Sequence, residues 1–336
     1  MKPFNVPIAL FSFVREDKIL QIIEKIRKIE PTKIYLISDG GRNEIEHDKV
    51  LKCRQSIENS IDWNCKIIKR YSSVNIGVFN NIAGGAKWVF SQEDSAIFLE
   101  DDNLPALSFF PFCADLLNKY KDNDRILWIC GTNYLGEYET SNNESYLFSK
   151  NMMPCGWASW SNKFLKYYNE DFSLWKDRVT KKNIHKEYLY FPLFIQDTNN
   201  WNAEIERFDT KGRYASWDYQ MSLSIRAHKL YGIVPKYNQI NNIGVDEYSI
   251  HGGNSNNKIM TSRFCNIPTR ELEFPLNHPK EVVIDKRFEL KTEKIITYPW
   301  LMRVKFNLSY SLKRLFKIYV DNSLIGELKK RYIKNK

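Results

Sequence analysis

In SAIFLEDDNLP, three carboxylates in a row, Glu100, Asp101 and Asp102, stand directly behind an apolar run at residues 95–99. Like charges so close repel one another. A hard divalent cation such as Mg²⁺ or Mn²⁺ would relieve that repulsion, because it takes oxygen ligands and keeps open positions for phosphate oxygens. A solvated acidic turn would carry the same letters. Two more polar groups occupy comparable places: Arg15 after PIALFSFV and Asp39 after KIYLIS.

The elements around these groups decide between the two readings. Residues 7–14 read as a first strand and 17–29 as a helix, with Ile19, Leu20, Ile22, Ile23 and Ile26 on one apolar face. Strands follow at 33–38, 65–71, 95–99 and 125–131, separated by a polar helical segment and by helices at 78–91 and 107–120. Strands alternating with helices imply parallel βαβ units, hence an open, mostly parallel α/β sheet with helices on both faces. Ligands in such sheets bind at the carboxyl ends of the strands, and Arg15, Asp39 and the acidic triplet all fall at such ends.

The rest of the chain sets bounds. Its 336 residues are 43% hydrophobic, enough for a sizeable core, and its net charge of +10 suggests an anionic partner. Six cysteines, Cys53, Cys65, Cys113, Cys130, Cys155 and Cys265, form no CxxC pair and read as reduced, mostly buried thiols of a cytoplasmic protein. The N-terminus lacks a signal-peptide pattern, since Arg15, Glu16 and Asp17 follow the first apolar run, and no apolar run is long enough to span a bilayer. From residue 133 the pattern loosens into aromatic, Asn-rich segments that suggest a second lobe over the sheet edge. Expected divisions are 1–132 and 133–260, followed by an extension at 261–336. That extension ends in a basic amphipathic stretch, residues 298–336, which either lies on an anionic membrane surface or docks on the protein's own core. No nucleic-acid motif accompanies the charge, so nucleic acid is not an expected partner.

Taken in order, PIALFSFVRED, YLISDGG, VNIGVFNNIAGGAKWVF, IFLEDDNLPALSFFPF, GWASW, SWDYQ and NIGVDEYSIHGG resemble the GT-A-fold glycosyltransferases. The likeness is to the bacterial polysaccharide and lipo-oligosaccharide type and, more distantly, to the N-acetylglucosaminyltransferase that begins complex N-glycans. It runs over residues 5–255 and implies a Rossmann-like GT-A domain: a nucleotide-sugar-binding half at 1–132, then an acceptor-binding half. Carried onto this sequence, it gives Arg15 and Asp39 to the nucleotide and sets Asn75 and Gly77 against the donor. Glu100, Asp101 and Asp102 match the family's DXD-like acidic motif, with Asp102 as the ligand of Mn²⁺ or Mg²⁺ and Asp101 on the ribose or a metal-bound water. Trp157 would lie near the donor sugar, whereas Trp160 reads as core. His251 would ligate the metal or bond a phosphate oxygen.

The resemblance further places a general base at Asp218, which must come within hydrogen-bond reach of the acceptor hydroxyl. Tyr219 follows it where the animal enzyme has a second acid, so Asp197, Glu204 and Glu206 stand as fallback bases. The implied activity is transfer of a hexosyl or N-acetylhexosaminyl group from a nucleotide-diphosphate sugar to a hydroxyl of a glycan or lipid-linked acceptor, with inversion, in surface polysaccharide synthesis. The tail would then touch the inner face of the cytoplasmic membrane. The rivals are a sugar-1-phosphate nucleotidyltransferase and a non-catalytic nucleotide- or glycan-binding module.

Overall fold

A computed structural model describes residues 3–246 and 259–334. Its strands are β1 (Ile8–Ser12), β2 (Lys33–Ser38), β3 (Lys66–Tyr71), β4 (Ser95–Glu100), β5 (Asn103–Pro105), β6 (Ile126–Cys130), β7 (Tyr146–Ser149), β8 (Trp157–Trp160), β9 (Tyr231–Pro235) and β10 (Ile240–Asn242). Eight of them form one sheet in the order β3-β2-β1-β4-β8-β6-β9-β7, and β5 pairs with β10 in a small antiparallel ribbon. Within the large sheet β8 runs antiparallel to β4 and β6, and β7 runs antiparallel to β9. The other pairings are parallel.

This open, mostly parallel sheet with helices on both faces is the Rossmann-like fold class expected from the sequence. Its physical basis is the strand period of two. Along β1, Ile8 and Leu10 face one core with Ile19, Ile22 and Ile26 of α1 (Glu16–Arg27), Ile57 of α2 (Glu44–Ser60) and Phe109 of α4 (Phe109–Lys119). Ala9 and Phe11 face the opposite core with Ile82, Ala86 and Val89 of α3 (Gly77–Phe90) and with Trp217 and Met221. The sheet is continuous across residue 132. Beyond residue 260, Leu272, Leu276 and Phe288 are also buried in these cores.

A third cluster, holding Trp175, Leu193, Trp201 and Leu223, joins the long helix Phe191–Lys211 to the helix Asp218–Ala227. These two helices form the wall opposite the carboxyl ends of β1 and β4. Arg226, fully buried, fastens that wall: it donates to Asn151 Oδ1 at 2.6 Å and Glu293 Oε1 at 3.1 Å, and its guanidinium stacks 3.7 Å from the ring centre of Tyr188. Among the described residues no helix is long and apolar enough to cross a membrane.

The Gly84-Gly85 pair inside α3 has two different roles. A Cβ on Gly85 would come within 2.7 Å of the Phe11 ring and 3.2 Å of Ile37, so the missing side chain is what lets α3 pack closely on the sheet. A Cβ on Gly84 would meet only the Arg70 guanidinium, at 3.4 Å. Gly85→Ala should therefore destabilise the protein by about 1–3 kcal/mol through overpacking. Gly84→Ala should stabilise it by about 0.5–1 kcal/mol through helix propensity. Urea denaturation of the two variants tests this contrast.

Candidate active site

A cavity of about 490 Å³ opens where β1 and β4 end, walled on its far side by the two helices of the third cluster. It gathers Arg15, Asp39, Asn75, Gly77, Glu100, Asp101, Asp102 and Asp218 from five separate parts of the chain. Among the described residues, no other place brings so many of the residues singled out in the sequence together.

The acidic triplet is built as the exit of β4 into β5. Asn103, 1% exposed, braces it: its side-chain oxygen accepts from the backbone N–H of Gly156 at 2.7 Å and of Glu100 at 3.3 Å, and its amide donates to Asp102 Oδ1 at 2.6 Å. Asp101 Oδ2 accepts from the Phe13 N–H at 3.1 Å, which ties the end of β4 to the end of β1. Arg15 then bridges the acids, reaching Asp101 Oδ1 at 2.9 Å and Asp102 Oδ2 at 3.0 Å through Nη1. Its Nε and Nη2 grip both oxygens of Asp246, at 3.0 and 3.2 Å, and Lys18 pairs with the same carboxylate.

Burial works against the Arg15 charge, but Asp101 and Asp102 outweigh it and raise its pKa. Burial also lifts all three acids of the triplet. Asp101 rises to about 6 despite Arg15, and Asp102 rises despite Arg15 and Lys18. Glu100 is pushed well above the usual carboxylate range, first by burial and then by the charges of Asp102, Asp101 and Asp218. No described residue gives the Glu100 carboxylate a hydrogen bond, so it faces the cavity free to bind. Gly244, on the chain after β10, packs on Asp102 so tightly that a Cβ would collide with Oδ2.

Asp39 departs from its expected role. Its carboxylate already accepts from the backbone N–H of Gly40 and Ile76, both at 2.8 Å, from Gly77 N–H at 3.0 Å and from Asn75 Nδ2 at 3.1 Å. Asp39 is thus a latch that fixes the entry of α3 rather than a free acceptor for a base or ribose. Asn75 and Gly77 point their donors at that latch while still lining the cavity. Trp157 is a second correction. It is 1% exposed and stacks between Phe98, with ring centres 3.9 Å apart, and Trp128, at 4.1 Å, so it packs in the core and does not reach the cavity wall. Trp160 is core, as expected. His251 lies outside the described residues.

Asp218 opens its helix on a rigid mount. Glu204, fully buried, accepts from the N–H groups of Ala215 at 2.8 Å and Ser216 at 3.2 Å, the Ser216 hydroxyl donates to Asp218 Oδ1, and Tyr168 donates to the Trp217 carbonyl at 2.8 Å. That bracing role removes Glu204 as a base. Glu206 accepts from the Val320 N–H at 2.9 Å and lies away from the cavity. Around Asp218 the wall is aromatic, with Tyr134, Trp217, Tyr219, Phe264 and Tyr298, and such faces suit the apolar side of a sugar ring. Apart from Tyr219, noted only for standing in place of an acid, the aromatics were not singled out in the sequence, nor were Asn103, Gly244 and Asp246. NIGVDEY offered the only signal for the last two, as a Gly and an acid two residues apart.

No protein-family model matches the chain, and no curated protein matches it in sequence. Among solved structures the chain is similar to a UDP-glucose pyrophosphorylase complexed with UDP-glucose, with 10% identity, a TM-score of 0.35, and coverage of 70% of this chain and 91% of that one. It is likewise similar to an apo UDP-glucose pyrophosphorylase, with 11% identity, a TM-score of 0.35, and coverage of 70% and 93%. Likenesses of this size carry no argument about activity, and the site stands on its own geometry.

Asp197, on the long helix, accepts from the Tyr188 hydroxyl at 2.8 Å, and burial lifts its carboxyl to about 6 against the pull of Arg226 and that hydroxyl. Between the ordinary 3.8 and about 6, the folded chain holds a proton that the unfolded chain has released. This contribution to stability therefore falls as pH rises through that window. Asp197→Asn keeps the acceptor for Tyr188 and removes the titration. Its stability relative to wild type should climb between about pH 4 and pH 6 and level off above, by at most about 3 kcal/mol. Urea midpoints across that range check it.

Proposed function

We propose that the protein transfers a sugar from a nucleotide-diphosphate donor to a hydroxyl acceptor, with help from a divalent cation. The observation that carries this reading is the meeting of two separate acid sets in one cavity. The triplet lies at the ends of β1 and β4, and Asp218 stands on its own mount close enough for its charge to act on Glu100. Metal binding and proton transfer need different carboxylates, and the cavity supplies both.

The donor set fits a hard cation, since Glu100 and Asp102 offer carboxylate oxygens and Glu100 has no hydrogen-bond partner among the described residues. Those residues hold no cluster of three or more His, Cys, Asp or Glu arranged around a cation. A Mg²⁺ or Mn²⁺ ion here would be held by one or two carboxylates and would need diphosphate oxygens from the donor to complete its shell. When bound, the cation neutralises charge on the departing diphosphate. Arg15 and Lys18, now paired with Asp246, supply positive charge at the same place. Asp218 accepts the proton of the acceptor hydroxyl as its oxygen attacks the anomeric carbon and the bond to the diphosphate breaks, which inverts that centre. The acceptor is a glycan or a lipid-linked glycan.

The second reading is a sugar-1-phosphate nucleotidyltransferase, also the activity named for both structural likenesses. It would use the same carboxylates, but pyrophosphate would attack the α-phosphorus and release a nucleoside triphosphate and a sugar 1-phosphate. Such an enzyme needs a glycine-rich basic loop after its first strand. Here Phe13, Val14 and Arg15 occupy that place, with the Phe13 N–H spent on Asp101.

A panel of nucleotide-diphosphate sugars, assayed with Mn²⁺, Mg²⁺ or EDTA, separates the two readings. Nucleoside diphosphate should be released in a metal-dependent way, and Asp218→Asn should slow release at least about 100-fold while leaving donor binding in place. Nucleoside triphosphate formed only when pyrophosphate is added would transfer the assignment to the second reading.

A further inference from the structure

Residues 300–336 hold ten of the chain's 50 lysines and arginines but only two of its 40 acidic residues, so eight of its ten net positive charges lie in the last 37 residues. The remainder of the chain is close to neutral, and its basic character is a property of this one region. Two helices, Trp300–Leu315 and Leu324–Lys334, carry it.

The first helix has no buried residue. Leu301, Leu308 and Leu315 succeed one another at heptad spacing, 73%, 59% and 72% exposed, with Trp300 and Val304 beside them on the same face. Ile325 and Ile333 of the second helix are exposed as well. Around this apolar stripe Lys305, Arg314, Lys317, Lys329, Lys330 and Arg331 are all solvent-exposed.

The opposite face is fastened to the body. Arg303 donates to the Tyr190 hydroxyl at 3.4 Å, and Asn199 donates to Asn307 at 3.1 Å. Asp321 accepts from Arg207 at 2.9 Å and from Lys211 at 3.2 Å. Three of these body groups, Asn199, Arg207 and Lys211, lie on the helix Phe191–Lys211, whose Leu193, Gln196, Asp197 and Asn200 line the cavity. Tyr298, also on the cavity wall, stands two residues before Trp300, and its N–H is held by Gln196 at 2.7 Å. The apolar stripe and the cavity are therefore two sides of one rigid wall.

We infer that the Trp300–Leu315 and Leu324–Lys334 helices seat the protein on an anionic lipid surface, the stripe entering the headgroup boundary and the lysines and arginines meeting the phosphates. An apolar stripe flanked by basic residues is the pattern that binds such an interface, since hydrophobic and electrostatic terms add there. A second copy of this chain on the same stripe would bring two strongly positive surfaces together, which opposes a symmetric dimer. Seated in this way, the protein keeps only the thickness of that wall between the cavity and the layer from which a lipid-linked acceptor would be drawn. That consequence for the acceptor rests on the proposed transfer reaction, whereas the surface contact does not.

The experiment is flotation of the full chain with vesicles of phosphatidylcholine alone or mixed with phosphatidylglycerol, at low and high salt, for wild type, L301E/L308E/L315E and K305E/R314E/K317E. Melting temperatures and donor hydrolysis establish that both variants remain folded and active. Wild type should float with the anionic vesicles and be released by salt, and each triple variant should lose about tenfold or more in partition. The inference is overturned if wild type stays unbound at low salt, if the leucine variant floats as wild type does, or if light scattering shows a dimer that this variant dissociates. Donor hydrolysis in the absence of vesicles reads the proposed reaction separately, so the two can fail independently.

Discussion

The crowding of Glu100, Asp101 and Asp102 at the end of β4 is the constraint around which the site is arranged. Burial raises the cost of holding three negative charges in one place, and Arg15 relieves part of it by bonding two of them at once. Glu100 receives no such bond, and the pull of the Arg15 charge is outweighed by burial and the neighbouring acids. Every neighbouring feature follows from keeping this arrangement in register: Asn103 pinned to Gly156, Asp101 pinned to Phe13, and Gly244 without a side chain beside Asp102. Carboxyls held above their usual range by burial and by one another ionise more readily when a ligand brings positive charge, and a diphosphate carrying a cation is such a ligand.

The sheet explains why the acids can be held this way. β1 and β4 are neighbours and parallel, so Arg15 and the triplet emerge side by side at the same edge. The Asp39 latch sets the start of α3 at that edge too, and the helix then covers the sheet closely because Gly85 has no side chain. Asp218 comes from the other side, on a helix start braced by the buried Glu204. The two acid sets are mounted on separate rigid parts, which allows a substrate between them to be held from two directions.

Much of this was legible in the sequence because it follows from period and position. The alternation of apolar residues marks the order and type of the first strands and helices, and the carboxyl-end rule collects Arg15, Asp39 and the triplet. Individual roles were less legible. Trp157 looks like a sugar platform as a letter in GWASW, yet it is core, because β8 inserts antiparallel between β4 and β6 and turns that side chain inward between Phe98 and Trp128. Asp39 has the position of a ligand group but spends its carboxylate on four local donors. Asn103 carries no chemical signal, and only the folded contact with Gly156 reveals its part. The aromatic wall escaped notice because it is assembled from residues as distant as Tyr134, Tyr219 and Tyr298, which no spacing rule connects.

Calorimetric titration of the protein with a nucleoside diphosphate, with Mn²⁺ and with EDTA, most directly tests whether the triplet serves a cation-borne diphosphate. If it does, Mn²⁺ should tighten binding by about tenfold or more, and Asp102→Asn should abolish that gain while leaving metal-free binding nearly unchanged. Equal affinity with Mn²⁺ and with EDTA, or a gain that survives in Asp102→Asn, would contradict it.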